Sequence, residues 1–200
     1  MVHYDFDYLQ SDTPLMSPSH SFPYGEPIPW SSESCLPDHS ANLTSWLLAS
    51  GSLTEKLKAC CQKFDVKVLG EALLAPFEEE MPKQSKVWVR EVLLCLDDIP
   101  WVFARTLIPQ PLLQQTQVDF KGLGTKPLGQ LLYSHHQFIP NDIEVAVSLP
   151  NGNISQLSHS LGQSCQQVWG RRRFFTYKDQ QMTVSEFFLP HAVRMIEQMA

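Results

Sequence analysis

Several features that mark large classes of protein are missing from this chain of 200 residues. No apolar run approaches the ~18 residues of a membrane-spanning helix, so no membrane span is expected. The opening MVHYDFDYLQ is acidic and interrupted, without the basic and apolar regions of a secretory leader. Positive charge is scarce: 15 Lys and Arg against 21 Asp and Glu leave a net charge of −6, where a nucleic-acid binder needs a basic face. The five cysteines (Cys35, Cys60, Cys61, Cys95, Cys165) are odd in number and have no CxxC spacing. That argues against a disulfide or zinc framework and for reduced thiols in a cytoplasm. The seven histidines also lack metal-ligand spacing, and His135-His136 read as a polar surface pair. KGLGTKPLG has glycines and a lysine but not the phosphate-cradling GxxxxGK[ST] pattern, and no GxSxG occurs. The expectation is a soluble, cytoplasmic protein with no metal site, no nucleic-acid partner and no membrane span.

What the chain does have is unevenly distributed. Pro14, Pro18, Pro23, Pro27, Pro29 and Pro37 crowd a Ser-rich stretch that ends near residue 38. Proline at that density excludes a helix. Residues 1–38 therefore read as an arm, extended or disordered, with Phe22, Tyr24 and Trp30 as candidate anchors, ahead of one domain over 39–200. Leu43, Trp46 and Leu47 fall on one helical face, with Gly51 as the stop. SLTE then offers a capping box from Ser52 to Glu55. The inward stripe Leu53, Leu57, Cys60, Cys61 and Phe64 makes the adjacent cysteines core residues. From there the period becomes two. DVKVLGEALL predicts a strand or strand pair broken at Gly70, and KVWVREVLLC and PWVFARTLIP flank a DDIP turn. LGQLLYS predicts a short helix and NDIEVAVSL a strand. The polar stretch near 149–167 predicts a long surface loop. RRRFFTYKDQQMTVSEFFLP predicts two strands around KDQQ, before a helical tail. Strands that adjoin without intervening helices give an α+β fold, a single antiparallel sheet with helices packed at one side.

Within that sheet the charges raise a question. Trp88, Arg90, Val92 and Leu94 share one face of their strand; Val89, Glu91, Leu93 and Cys95 share the other. A four-residue DDIP loop sets Val92 opposite Arg105, which places Arg90 and Arg105 on one face as diagonal neighbours ~7–8 Å apart. Two arginines converging on an apolar surface suit an anionic ligand, held through charge-assisted forks. The alternative is a structural carboxylate for each, and periodicity alone keeps Glu91 in play as a pocket residue. Glu186 shares a face with Met182, Val184 and Phe188, a setting that suits a proton donor. A KDQQ loop sets it opposite Arg173, so a cross-strand ion pair is the competing reading.

The separate pieces resemble chorismate pyruvate-lyase. WVREVLLCLDDIPWVFARTLIP, LGTKPLGQLLY, VWGRRRFF and SEFFLP carry the match in order, with SWLLASGSLTEKL a looser block upstream. The resemblance implies a buried ligand pocket and conversion of chorismate to 4-hydroxybenzoate and pyruvate, the first committed step of ubiquinone synthesis, by a monomer without metal or organic cofactor. It puts the carboxylate-binding arginine on Arg90 and the essential glutamate on Glu186. Arg105 is implied as the second cation, and backbone groups of Leu53 and Leu128 as further ligand contacts. The Pro-rich arm, about 17 extra residues near PNGNISQLSHSLGQSC, and Arg173 depart from the family pattern. The alternative is a non-catalytic small-anion-binding module, since the same fold serves as the effector-sensing domain of some transcription regulators.

Overall fold

Period-two alternation over most of residues 64–188 folds into one seven-stranded antiparallel sheet, as seen in the computed structural model, which describes residues 21–32, 41–82 and 84–199. In chain order the elements are β1 (Ser31–Ser32), α1 (Ala41–Leu47), α2 (Leu53–Lys58), β2 (Phe64–Leu74), β3 (Val87–Leu96), β4 (Ile99–Pro109) and α3 (Gln110–Gln115). Then follow α4 (Leu128–Ser134), β5 (Ile139–Val147), α5 (Asn153–Ser160), β6 (Trp169–Tyr177), β7 (Gln180–Phe188) and α6 (Pro190–Glu197). The strands lie in the order β1-β5-β6-β7-β4-β3-β2, so among the described residues β2 is the longer of the two edge strands.

Each face has its own core. On one, Val66, Val92, Leu94, Ala104 and Phe188 pack beneath Leu43, Trp46 and Leu47 of α1, Leu53 and Leu57 of α2 and Ile196 of α6. The same face continues through Ile108, Phe175, Met182 and Val184 under Leu112 of α3 and Leu128 and Leu132 of α4. On the reverse face Leu93, Cys95, Phe103 and Phe187 meet Tyr24 and Ile28 of the arm and Ile154 and Leu157 of α5. Phe103 and Phe187 are essentially sealed from water; burying each contributes roughly 1.5–3 kcal/mol. Helices thus cover mainly one side, but the other is not bare.

The arm is held by specific bonds. Backbone N–H groups of Tyr24 and Gly25 donate to the two oxygens of Glu91 at 2.7 and 2.9 Å. The Glu26 carboxylate accepts from Leu149 N–H at 2.7 Å and Ile154 N–H at 3.4 Å, satisfying a first-turn amide of α5 that has no helical partner. Burial pushes the Glu26 carboxyl above its ordinary range, against the opposing pull of these N–H groups. Residues 1–20 and 33–38 of the expected arm, with Pro14, Pro18, Pro37 and Cys35, lie outside the described residues.

Several expectations need correction. The stretch 149–167 is not simply a loop but contains α5. β2 is continuous, with a bulge between Val68 and Gly70 in place of a break. α2 ends at Lys58, which leaves Cys60 exposed and Cys61 only half-buried, packed against the margin of the core. The β3–β4 turn has only Asp97 and Asp98, both at positive φ (47° and 68°), and the register shifts between Leu94 and Cys95. Glu91, not Val92, therefore faces Arg105. The β6–β7 turn is also two residues long, so Glu186 faces Arg171 and not Arg173.

Candidate active site

On the helix-covered face, the middle of the sheet carries two small neighbouring hollows. The first, about 30 Å³, is lined by Arg90, Val92, Thr106, Thr54, Leu128 and Glu186, among others. A second, about 20 Å³, is lined by Leu53, Leu132, Tyr133, Arg171, Arg173 and Phe175. Both share Gly129, Val184 and Glu186, so the Glu186 carboxylate stands at their junction. α4 can approach α2 closely here because residue 129 is glycine; a Cβ would lie 2.8 Å from Thr54 Oγ1.

Arg90 comes from the centre of β3 and is only 3% exposed. Its Nη1 pairs with Glu71 of β2 and its Nη2 donates to Gly124 O at 2.6 Å. Glu186 of β7 accepts from Arg171 Nε at 2.8 Å. Arg171 Nη1 donates in turn to the Ala49 carbonyl at 2.7 Å and, more weakly, to that of Trp46. These are carbonyls at the C-terminal end of α1, where a cation is favoured. Arg173 ties down the same corner, donating to Tyr133 Oη at 2.8 Å, to Asn141 O at 2.6 Å and to Ser50 O. Nearby, Lys56 lies 4.2 Å from the Trp46 ring centre, and burial, then Arg171, lowers its pKa.

Cations outnumber carboxylates around the hollows. Arg90, Lys126, Arg171 and Arg173 line the hollows. Against these four cations stand two carboxylates, Glu186 and the Arg90 partner Glu71. The two cations without a carboxylate partner differ: Lys126 is exposed, while Arg173 is half-buried and bonded to two carbonyls and Tyr133. Leu53 and Leu128 are the first residues of α2 and α4, where a backbone N–H has no partner within its helix. A larger open cleft of about 750 Å³ lies beyond, rimmed by exposed His135, His136 and Gln137. It shares Lys126 with the first hollow but offers no buried charged group.

Arg90, Glu186, Leu53 and Leu128 are therefore brought around one site, but Arg105 is not. A one-residue difference in register turns a side chain to the opposite face, and Arg105 lies beneath the arm. Its Nε and Nη2 donate to Glu80 at 2.6 and 2.9 Å, and its Nη1 donates to Glu91 at 2.7 Å. Burial alone would lower its pKa, but Glu80 and Glu91 hold it above the ordinary value. The site residues not foreseen are Arg171, Glu71 and Lys126. Parity along WGRRRFF was signal enough for Arg171, which shares a face with Arg173; for Glu71 the bulge hid it.

Fold and site together define an α+β protein in which helices cover small arginine-lined hollows on one face of an antiparallel sheet. The family model for chorismate lyase matches residues 27–198. A "Probable chorismate pyruvate-lyase" from Shewanella sp. (strain ANA-3) is 56% identical over 182 residues, covering 88% of this chain and 95% of that protein. A protein of the same description from Pseudoalteromonas atlantica is 38% identical, covering 87% and 92%. The chain belongs to the chorismate lyase family. Among solved structures, the effector domain of PhnF from Mycobacterium smegmatis is similar over 70% of this chain and 90% of that one, at 16% identity and a TM-score of 0.49.

Proposed function

We propose that this chain converts chorismate to 4-hydroxybenzoate and pyruvate, the first committed step of ubiquinone biosynthesis. The observation that carries the reading is the placement of Arg90 and Glu186 in one buried cleft, with Arg171 and Arg173 beyond Glu186. Chorismate is a dicarboxylate with an enolpyruvyl ether and a ring hydroxyl on adjacent carbons. Arg90 would take the ring carboxylate through a two-pronged contact, while Arg171 and Arg173, in place of Arg105, face the enolpyruvyl carboxylate. Backbone groups of Leu53 and Leu128 complete the cradle.

In the reaction the carbon–oxygen bond to the enolpyruvyl group breaks and the hydroxyl-bearing ring carbon loses its hydrogen. The ring becomes aromatic, and a proton ends on the enolpyruvyl methylene to give the methyl of pyruvate. Aromatisation supplies the driving force, so the reading assigns no metal or organic cofactor. The protein's task is to hold the dianion in the reactive conformer and to stabilise charge on the departing oxygen with fixed cations in a dry site. Glu186 is the candidate proton carrier, kept in position by Arg171. The hollows are far below the ~300 Å³ of an ordinary ligand pocket, so ligand entry requires α2 and α4 to part.

The reading is of a monomeric enzyme acting in the cytoplasm, with an N-terminal arm ahead of a single catalytic domain. No helix among the described residues is long and apolar enough to cross a membrane. Purified protein incubated with chorismate should form pyruvate and 4-hydroxybenzoate in equal amounts, followed by chromatography. Binding without product, or a different benzoate isomer, would overturn the lyase reading and favour an anion-binding module.

A further inference from the structure

The buried cation of the site is already occupied. Glu71 pairs with Arg90, and the Gly124 carbonyl takes its other terminal nitrogen. Glu71 stands directly across from Arg90 in the β2–β3 register. It gets there through the bulge. Val66 and Val68 face the pocket side opposite Leu94 and Val92, so strict alternation would put Gly70 on that side and Glu71 on the reverse. The extra residue between Val68 and Gly70 re-aims the carboxylate at Arg90, a known use of bulges beside sites. β2 is an edge strand among the described residues, and the Glu71 side chain is 22% exposed while that of Arg90 is 3% exposed. Glu71 can therefore swing into water; Arg90 cannot.

From this geometry we propose that Glu71 is a positioning residue that competes with the anionic ligand for Arg90, and so limits the affinity of the carboxylate product. In the empty site it neutralises a buried guanidinium that would otherwise lack a counter-charge. When a ligand carboxylate arrives, two carboxylates contend for one fork and Glu71 must yield at least one nitrogen. The repulsion between them acts equally on the product, which favours its departure. This inference rests on the lyase reading above and adds the device that sets product affinity.

The test is calorimetric titration of 4-hydroxybenzoate into wild type, Glu71→Gln and Arg90→Ala proteins, with kcat and KM for chorismate measured in parallel. Glu71→Gln should bind 4-hydroxybenzoate roughly tenfold tighter, the scale for removing one like charge at the edge of a partly hydrated site. KM should fall with it, while kcat drops as release slows. Unchanged or weaker binding by Glu71→Gln would overturn the competition, because a residue that only orients Arg90 loosens the ligand when removed. Loss of binding in Arg90→Ala shows that the titration reports this site, and retained binding there overturns the assignment. If wild type neither binds 4-hydroxybenzoate nor forms it from chorismate, the lyase reading has failed first. A thermal melt of each variant separates these results from misfolding.

Discussion

Arg90 and Arg105 sit on adjacent strands, and each is 3% exposed, yet the two faces of the sheet treat them differently. Arg105 has two carboxylates, Glu80 and Glu91, themselves almost fully buried. Glu91 also accepts from two backbone amides of the arm. The space beside Arg105 is about 10 Å³, walled by Gly25, Glu26, Ile28 and Trp30. Arg90 has one partly exposed carboxylate and one loop carbonyl, and a cleft opens beside it. Burial of a charge therefore does not mark a site by itself. The distinction lies in how completely its donors are satisfied by groups that cannot leave.

That contrast can be broken by experiment. The largest effect should come from Arg90→Ala: turnover falls by ~10³-fold or more, the scale for removing a fixed transition-state donor. The melting temperature should move by less than about 4 °C, because Glu71 can hydrate. An Arg90→Ala protein with full turnover would erase the difference between the faces. Arg105→Ala should do the reverse. It strands Glu80 and Glu91 in the interior and costs about 3–5 kcal/mol in denaturant unfolding, with turnover per folded molecule retained. A stable but inactive Arg105→Ala protein would move the reverse face into the chemistry.

Smaller effects sharpen the same picture. Glu91→Gln keeps an acceptor for the arm but loses the ionic partner of Arg105, and should cost about 1–3 kcal/mol. Limited proteolysis should then cut within residues 21–32 sooner, with chemistry intact; unchanged cleavage would detach Glu91 from arm retention. The smallest effect is one of pH. Because burial raises the Glu26 carboxyl in the folded chain, the folded state binds the proton more tightly than the unfolded one. The stability that this provides is present below the ordinary carboxylate pKa and is lost as pH rises through the folded value. Relative to Glu26→Gln, wild type should gain stability as pH falls from neutrality toward ~4.5. A flat difference between the two proteins across that range would refute it.

Residue-level alternation made much of this legible from sequence. It separated Arg90 from Glu91 and grouped Glu186 with Met182, Val184 and Phe188, because a strand's parity survives any error in its ends. Partnership between strands did not survive, since it depends on turn length. At Asp97-Asp98 the two-residue turn and following register shift displace the pairing by one residue from the expected one, and one residue exchanges faces for Arg105. At Lys178-Asp179 the displacement is two, which preserves the face of Glu186 and merely substitutes Arg171 for Arg173. Neither turn has the Asn-Gly or Asp-Gly signature that announces a tight hairpin. Gly70 marked an irregularity in β2, but alternation could not tell a break from a bulge, nor that the bulge would turn Glu71 toward Arg90. α5 was hidden because its sequence is polar and its first turn is capped by a glutamate 128 positions earlier.

That last distance bears on how the chain is made. The segment around Tyr24 and Glu26 is synthesised early, but its partners are separated from it by 67 positions at Glu91 and 123 at Leu149. Contacts so far apart in sequence form late, because the intervening chain must first be organised. The arm therefore leaves the ribosome long before its seat exists and docks after β3, β4 and α5 are in place. Until then, the reverse-face side chains Leu93, Phe103 and Phe187 lack the cover of Tyr24 and Ile28.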